Sequence, residues 1–264
     1  GTWTDADGDS LTFSYQWFAA GVAISGATAN SYLLTTSEAH KSITVTVTAN
    51  DSNGSSVNAT SSGSLISNSA PVNTVLPLIS GTAITGNTLT ISNGTWTDAD
   101  NDGLAFSYQW FAGGVAIFGA TSNSFQIGTS QAHKTISVTV TADDSNGGSV
   151  GANSAGLLIT NSSPVNTVLP AVSGTLLTGN LLSINNGTWT DADGDSLTFS
   201  YQWLAGGVAI SGATSNSYQL TTSEAHQNIT VTVTANDGNG GSVDATSAGS
   251  LIANSAPVNT VLPV

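Results

Sequence analysis

The residues of this chain best suited to chemistry are aspartates placed two apart in a turn. Residues 4–9 read TDADGD, and the same spacing returns twice further along the chain. The three triplets are Asp5, Asp7 and Asp9; Asp98, Asp100 and Asp102; and Asp191, Asp193 and Asp195. Alternating carboxylates in a turn suit a hard cation that takes oxygen ligands, and calcium is the usual one. We therefore predict that the triplets bind calcium, with a solvated Asx-rich turn as the alternative.

An EF-hand is excluded as the source of this pattern. An EF-hand loop ends in a bidentate glutamate at its twelfth position. Counted from the first aspartate of each triplet, that position holds Gln16, Gln109 and Gln202. The sequences on both sides of the turn also have the alternation of strands and no helical period. Any calcium site must therefore be built on a β framework.

The framework that positions the triplets is a sequence repeat. GTWTDAD begins at Gly1, Gly94 and Gly187, which is a period of 93 residues. That period exceeds the 20 to 50 residues of solenoid units and is long enough to enclose a small core. We predict residues 1–70 to be an incomplete first repeat without its first strands, and residues 71–163 and 164–256 to be two further repeats. Residues 257–264 are predicted to begin another repeat or a linker.

Strand signals dominate each repeat. Residues 43–48 read ITVTVT, and residues 11–18 read LTFSYQWF, so apolar and polar residues alternate in both. About seven such short strands in each period, separated by Gly, Asn and Ser turns, are typical of an antiparallel β-sandwich. The predicted fold class is all-β, with tandem sandwich domains.

The YQW motif at residues 15–17 resembles the third strand of bacterial immunoglobulin-like domains. The order of features that follows is also similar, with a hairpin at residues 21–26, Tyr32, a polar turn at residues 36–41 and then the ITVTV strand. The chain has no cysteine, and the resemblance implies that apolar residues such as Leu89 and Val138 replace the disulfide of vertebrate domains. The DxDGD turns resemble those of cadherin-like and other bacterial surface repeats, which often bind calcium between domains.

This resemblance places further acidic residues near the triplets. In an immunoglobulin-like sandwich the turn after the second strand lies at the same end as the turn before the last strand. That last turn carries Asp51, Asp143, Asp144 and Asp237. The preceding linker, residues 69–73 or 162–166, is expected at the same end, which predicts a calcium clamp between repeats. Because the linker offers Asn68 and Asn73 where cadherins have an aspartate, a site within one repeat remains the alternative.

Composition limits the partners. Two basic residues against 16 acidic ones give a net charge of -14, and only 7% of residues are charged. Nucleic acid is therefore not expected as a partner, because phosphate binding needs clustered cations. A surface of hydroxyls and amides without cysteine suits a bacterial exterior. No apolar run is long enough to predict a membrane span.

Other recurring residues are assigned to structure. His40, His133 and His226 each lie in a polar turn and are interpreted as turn residues and not as ligands or bases. Trp3, Trp96 and Trp189 are expected to cap the core, with a sugar-stacking platform as the alternative.

The function predicted from these features is structural. No catalytic triad or phosphate-binding glycine loop is present in the sequence, so an enzyme is not expected. We predict a structural repeat region of a bacterial extracellular or cell-surface protein that forms a stalk or filament stiffened by calcium. Its expected partners are neighbouring repeats or copies of itself. The alternatives are a module that binds a glycan or another surface, and an accessory region of a large secreted enzyme.

Overall fold

The computed structural model describes residues 1–260, and every strand pair in it is antiparallel. Residues 1–70 contain β1 (Thr12–Ala19), β2 (Val22–Ala23), β3 (Ser42–Asn50), β4 (Ser56–Thr60) and β5 (Ser64–Leu65). Residues 71–163 contain β6 (Val72–Val75), β7 (Leu78–Ser80), β8 (Thr88–Ser92), β9 (Thr95–Thr97), β10 (Ala105–Ala112), β11 (Val115–Ala116), β12 (Ser124–Gln126), β13 (Thr135–Asp143), β14 (Ser149–Asn153) and β15 (Leu157–Leu158). Residues 164–256 contain β16 (Val165–Val168), β17 (Ala171–Ser173), β18 (Leu181–Asn185), β19 (Thr188–Thr190), β20 (Thr198–Ala205), β21 (Val208–Ala209), β22 (Ser217–Gln219), β23 (Asn228–Asn236), β24 (Ser242–Thr246) and β25 (Ser250–Leu251). Short 3-10 helices span Thr36–Glu38, Thr129–Gln131 and Thr222–Glu224.

The second and third repeats, residues 71–163 and 164–256, each form a two-sheet sandwich. In the second repeat one sheet has the order β7-β8-β12, and the other has the order β11-β10-β13-β14 with β15 also paired to β13. The third repeat has the same two sheets, β17-β18-β22 and β21-β20-β23-β24 with β25 paired to β23. This strand arrangement is immunoglobulin-like. The predicted fold class, all-β with tandem antiparallel sandwiches, is confirmed.

The core follows from the alternation in the sequence. Along β13 the buried residues are Ile136, Val138, Val140 and Ala142, and the residues between them face outward. Side chains of a strand point alternately to its two faces, so only one set can enter the core. Leu89 on the facing sheet is fully buried like Val138, and the two pack in one apolar cluster. The predicted packing at these two inward positions is confirmed.

The tryptophan of the YQW motif anchors each core. Trp110 is completely buried, and its ring stacks on Phe125 with 5.5 Å between centroids. Its indole Nε1 donates a hydrogen bond to the Ser122 carbonyl at 2.8 Å, so the buried polar atom has a partner. The neighbouring Gln109 donates to the carbonyls of Trp110 and Ile117 and thereby fixes the hairpin. The glutamine at the position of an EF-hand glutamate therefore has a structural role.

The first repeat, residues 1–70, has one sheet, β2-β1-β3-β4, with β5 paired to β3. Residues 31–35 form no strand, and Leu33 is 86% exposed. In the second repeat the equivalent strand, β12, is held by pairing with β8. Residues 1–70 contain no counterpart of β8, so the inner face of their sheet is only partly covered. The predicted start of a further repeat, residues 257–264, lies partly outside the described residues.

The structure of the linker differs from the prediction made from the sequence. Residues 69–73 are predicted as linker, but β6, which begins at Val72, pairs with β9. A register shift between Asn73 and Val75 bends this ribbon. The Asn73 side chain donates to the carbonyls of Val75 and Thr95, which satisfies backbone groups at the bulge. Residues 72 and 73 of the predicted linker thus belong to the first strand of the following repeat.

Replacing Gly94 by alanine will destabilise the second repeat by about 2–4 kcal/mol. Gly94 has φ +75, and a Cβ there would lie 3.0 Å from Pro77 N and closer still to the Val75 carbonyl oxygen. Gly114→Ala is the matched control, because φ is +80 but nothing lies within 4 Å of the added Cβ. It should cost only about 1 kcal/mol. Equal losses in denaturant unfolding would contradict the role given to the close approach of β6.

Candidate metal centres at the repeat junctions

The aspartate triplet folds into a turn closed by its own first member. Asp98 Oδ1 accepts hydrogen bonds from the backbone N–H groups of Asp100 at 2.8 Å and Asp102 at 3.3 Å. Such an Asx turn is the local reason for aspartate at the first position. The other oxygen, Oδ2 of Asp98, is buried and has no hydrogen-bond partner. Oδ2 of Asp191 is in the same state in the third repeat.

The turn after β13 supplies a second carboxylate from the same end of the sandwich. Asp144 is 2% exposed, and its Oδ1 accepts hydrogen bonds from the backbone N–H groups of Asn146 and Gly148, both at 2.8 Å. Its Oδ2 accepts a hydrogen bond from Asn68 Nδ2 at 2.7 Å. This amide is the main cause that holds the pKa of Asp144 below its usual value; burial opposes it, and the two backbone donors add to it. The carboxylate is therefore held in its charged form.

The two turns bring carboxylates together. Oxygens of Asp98, Asp102 and Asp144 lie within 4.8 Å of one another. Two equivalent clusters are formed by Asp191, Asp195 and Asp237, and by Asp5, Asp9 and Asp51. Three negative groups at this separation repel one another unless a cation lies among them. The charge distribution of each cluster therefore favours a bound cation.

The linker contributes to the cluster of the repeat that follows it. Asn68 contacts Asp144 through Nδ2, while its Oδ1 is buried and has no hydrogen-bond partner. The next residue, Ser69, donates its backbone N–H to Asp100 Oδ2 at 2.6 Å. At the second junction Asn161 contacts Asp237 in the same way, and Ser162 donates to Asp193. Each junction thus joins one linker asparagine, through its amide nitrogen, to a carboxylate of the cluster, and leaves the buried amide oxygen without a partner.

A histidine of the preceding repeat reaches the same cluster. His40 Nε2 lies 2.9 Å from Asp102 Oδ2, and His133 Nε2 lies 3.0 Å from Asp195 Oδ2. Both histidines lie in turns with φ +60, as the turn interpretation requires. The interpretation missed their contact with the following repeat. The available signal was that the histidines recur with the same period as the triplets, so each one meets an equivalent partner.

Not every predicted ligand joins a cluster. Asp143 is exposed, and its Oδ1 accepts a hydrogen bond from the backbone N–H of Ser145. Asp7 is exposed and lies outside the cluster of the first repeat. Asp100 and Asp193 bind the linker backbone and also lie near the histidine, in the groups His40, Asp100 and Asp102 and His133, Asp193 and Asp195. The middle aspartate of each junction triplet is therefore placed to hold the linker.

The tryptophans beside these turns are engaged in packing. Trp96 Nε1 donates to the Asn93 carbonyl at 2.8 Å, and its ring lies 6.2 Å from that of Phe106. Trp96 is partly buried. These contacts agree with a capping role at the end of the core.

Replacing Asn68 by alanine will raise the pKa of Asp144 toward that of a free aspartate. The Asn68 amide is the main cause of the lowered pKa, and its loss leaves burial opposed by the two backbone donors and by the charge of His40. Titration of the Asp144 carboxyl carbon by NMR measures the change. Asn123→Ala is the control, because Asn123 is exposed at the other sheet. An unchanged pKa in the Asn68 variant would show that the linker does not set the charge at this site.

The fold is thus a tandem array of immunoglobulin-like sandwiches with clustered carboxylates in the turns of each repeat. No protein-family model and no curated protein matches it. Among solved structures it is similar to a Ca²⁺-stabilized adhesin that helps an Antarctic bacterium reach out and bind ice, at 11% identity and a TM-score of 0.36. That match covers 92% of this chain and 65% of the adhesin chain.

Two further structures are similar at comparable levels. A 1.5-MDa bacterial ice-binding adhesin has 12% identity and a TM-score of 0.35, with 91% of this chain and 86% of that chain covered. The EC22-24 region of mouse cadherin-23 has 16% identity and a TM-score of 0.32, with 89% of this chain and 84% of that chain covered. At these identities the likeness concerns the fold alone. Within residues 1–260 no helix is long and apolar enough to cross a membrane.

Proposed function

We propose that this chain is a non-enzymatic structural region of a bacterial extracellular or cell-surface protein, in which calcium joins successive repeats into a stiff stalk or filament. The observation that carries the proposal is a pair of buried oxygens without hydrogen-bond partners, Asn68 Oδ1 and Asp98 Oδ2, beside carboxylates. The same pair, Asn161 Oδ1 and Asp191 Oδ2, recurs at the second junction. A buried oxygen without a partner is costly, and a cation would satisfy it.

The donor set fits calcium. At the first junction Asp98, Asp102 and Asp144 would supply carboxylate oxygens, and Asn68 would supply an amide oxygen. Calcium takes six to eight oxygen ligands in flexible geometry, which protein groups and water can complete. The ion would supply positive charge where three carboxylates now face one another. Soft thiolate ligands are absent because the chain has no cysteine.

The position of the site explains how an ion would stiffen the array. Its ligands come from the linker and from two turns of the following repeat, while His40 of the preceding repeat touches Asp102. Fixing these groups about one ion would restrict rotation of one repeat against the next. Repeats that are fixed end to end form a rod, and an acidic, hydroxyl-rich surface keeps such a rod soluble.

The test combines calorimetry and small-angle scattering of the full chain. Two calcium ions should bind at the junctions, and the cluster of Asp5, Asp9 and Asp51 should bind more weakly because it has no linker asparagine. Removing calcium with EDTA should shorten the mean length and broaden the distribution of shapes. The control variant is Asp143→Asn, which removes one negative charge from the chain but leaves the three carboxylate clusters intact. Its response to calcium should equal that of the unaltered chain. Absence of calcium binding would overturn the clamp, and binding without a change of shape would place its effect within single repeats.

A glycan- or surface-binding module is the second candidate, and one residue favours it. Phe118 is fully exposed in the turn that follows β11 and lines a groove of about 330 Å³. The first and third repeats have Ser25 and Ser211 at this position. Phe118→Ser is therefore a natural control variant for glycan-array binding. If a glycan gives the same array signal with the unaltered chain and with the Phe118→Ser variant, Phe118 does not bind that glycan.

A further inference from the structure

Asparagine is followed by glycine in two kinds of turn in this chain. One kind is the exposed turn after the long strand β3, β13 or β23. The other is the half-buried turn between β8 and β9 or between β18 and β19. The exposed pairs are Asn53-Gly54, Asn146-Gly147 and Asn239-Gly240, and the half-buried pairs are Asn93-Gly94 and Asn186-Gly187.

An asparagine that precedes glycine can lose its side-chain amide without an enzyme, because glycine has no Cβ to hinder the attack. The backbone nitrogen of the glycine gives up its proton and attacks the asparagine Cγ. The new N–Cγ bond closes a five-membered imide ring, the Cγ–Nδ2 bond breaks, and Nδ2 takes up a proton and leaves as ammonia. Water then opens the ring at either carbonyl, which gives aspartate or isoaspartate. The sum is amide and water giving carboxylic acid and ammonia, with no oxidation or reduction.

The exposed turns leave room for this reaction. Gly54, Gly147 and Gly240 are exposed, and apart from the flanking residues no described atom lies within 4 Å of a Cβ built on any of them. Ring closure requires the asparagine side chain and the following peptide group to rotate toward each other. Open space around the glycine permits that rotation.

The half-buried turns are held by packing and hydrogen bonds. A Cβ on Gly94 or Gly187 would lie 3.0 Å or less from backbone atoms at the end of β6 or β16. The backbone N–H of Gly187 donates to Asn185 Oδ1 at 2.9 Å, and Asn93 Oδ1 accepts a hydrogen bond from Tyr108 at 2.7 Å. These contacts must open before the imide ring can close, so the structure protects these two asparagines.

At the second junction the exposed turn touches the carboxylate cluster. Asn239 Nδ2 donates to Asp195 Oδ2 at 2.9 Å, and the same oxygen contacts His133 of the preceding repeat. Deamidation would replace the donor by a carboxylate, so attraction to Asp195 would become repulsion between like charges. In the second repeat the counterpart Asn146 donates instead to the Asp144 carbonyl, at 3.4 Å.

We propose that the asparagines of the exposed turns are sites of spontaneous deamidation, and that the change at Asn239 adds a fourth carboxylate to the cluster of Asp191, Asp195 and Asp237. The third repeat then depends more strongly on a bound cation than the second, where the lost amide does not hold a cluster carboxylate. The deamidation itself is independent of calcium. Its effect on the cation rests on the proposed calcium site.

Peptide mass spectrometry of the unaltered full chain tests the sites. The chain is kept in EDTA at mildly alkaline pH in heavy-oxygen water, so that each amide lost in solution is marked in the new carboxyl group. In the folded chain the loss at Asn53, Asn146 and Asn239 should exceed that at Asn93 and Asn186 by about tenfold. The same incubation in denaturant should remove this difference. Equal rates for the two groups in the folded chain would overturn the proposal.

Aspartate substitution tests the effect on the cluster. Asn239→Asp introduces the product of the reaction, and Asn146→Asp is the matched control with the same charge change in the equivalent turn. In EDTA, Asn239→Asp should lower the melting temperature of the third repeat by about 4–8 °C more than Asn146→Asp lowers that of the second. Equal shifts would contradict the role given to the contact with Asp195.

A calcium titration of the same two variants separates this inference from the proposed clamp. Saturating calcium should remove most of the difference between Asn239→Asp and Asn146→Asp. Calcium that binds but leaves the difference in place would contradict the added dependence on a cation. Absence of calcium binding would overturn the clamp and the cation dependence together, while the labelling result in EDTA would still support deamidation at the exposed turns.

Discussion

Calcium will raise the melting temperature of the chain by about 10 °C or more over its value in EDTA. A ligand that binds only the folded state at a hundredfold excess over its dissociation constant stabilises that state by about 2.7 kcal/mol. For a domain of this size each kcal/mol shifts the melting temperature by about 4–8 °C. The second and third repeats should respond most, because their clusters include Asn68 and Asn161. Scanning calorimetry with calcium and with EDTA measures the difference.

Changing Asp144 and Asp237 together to asparagine will remove most of this calcium-dependent rise. Each of these residues joins a cluster at one junction, and each has its pKa lowered chiefly by the linker asparagine, so each is charged at neutral pH. The matched control is Asp143→Asn, at an exposed carboxylate in the neighbouring position. A double variant that keeps the full rise would show that calcium binds elsewhere. An equal loss in the Asp143 variant would point to a general effect of charge.

The sheets could be predicted because their information is local. In β13 the alternation of Ile136, Val138 and Val140 with polar residues fixes which face enters the core, whatever lies opposite. The period of 93 residues then extends this result to every repeat. The alternation did not predict the pairing of β6 with β9, because these strands are short, their pairing contains a bulge and most of their side chains are exposed.

The same alternation separates Asp143 from Asp144, although both were predicted as ligands. Val140 and Ala142 point inward. Asp144, two residues further on and just beyond the end of β13, is also buried, while Asp143 points outward. The first and third repeats have the same arrangement. Asp51 and Asp237 occupy the inward-facing position, and an asparagine, Asn50 or Asn236, occupies the outward-facing position before it. The alternation of inward and outward residues, extended one residue beyond the strand, therefore distinguishes Asp144 from Asp143 in the sequence alone.

The contacts between repeats lay beyond sequence reasoning for a physical reason. His40 and Asp102 are 62 residues apart and belong to separate repeats. Whether they meet depends on the rotation of one sandwich against the next, which no strand pattern specifies. The contact of Asn68 with Asp144 depends on the path of the linker in the same way. The sequence could show that these residues recur together but not that they touch.

Replacing Trp110 by alanine will have the largest effect of any single substitution considered, a loss of about 3–5 kcal/mol in the stability of the second repeat. The side chain is completely buried, stacks on Phe125 and uses its only polar atom in a hydrogen bond. Truncation removes this apolar contact and leaves a cavity at the centre of the core. Because a domain has only about 5–15 kcal/mol of net stability, the transition should fall by about 15–30 °C.

Two comparisons show whether this loss comes from burial. Phe118→Ala removes an aromatic ring of the same repeat that is fully exposed, and its effect should stay within about 0.5 kcal/mol. Trp17→Ala affects the equivalent tryptophan of the first repeat, which is only partly buried, and should cost less than the Trp110 change. Equal losses for the two tryptophans would mean that burial does not set the cost of the substitution.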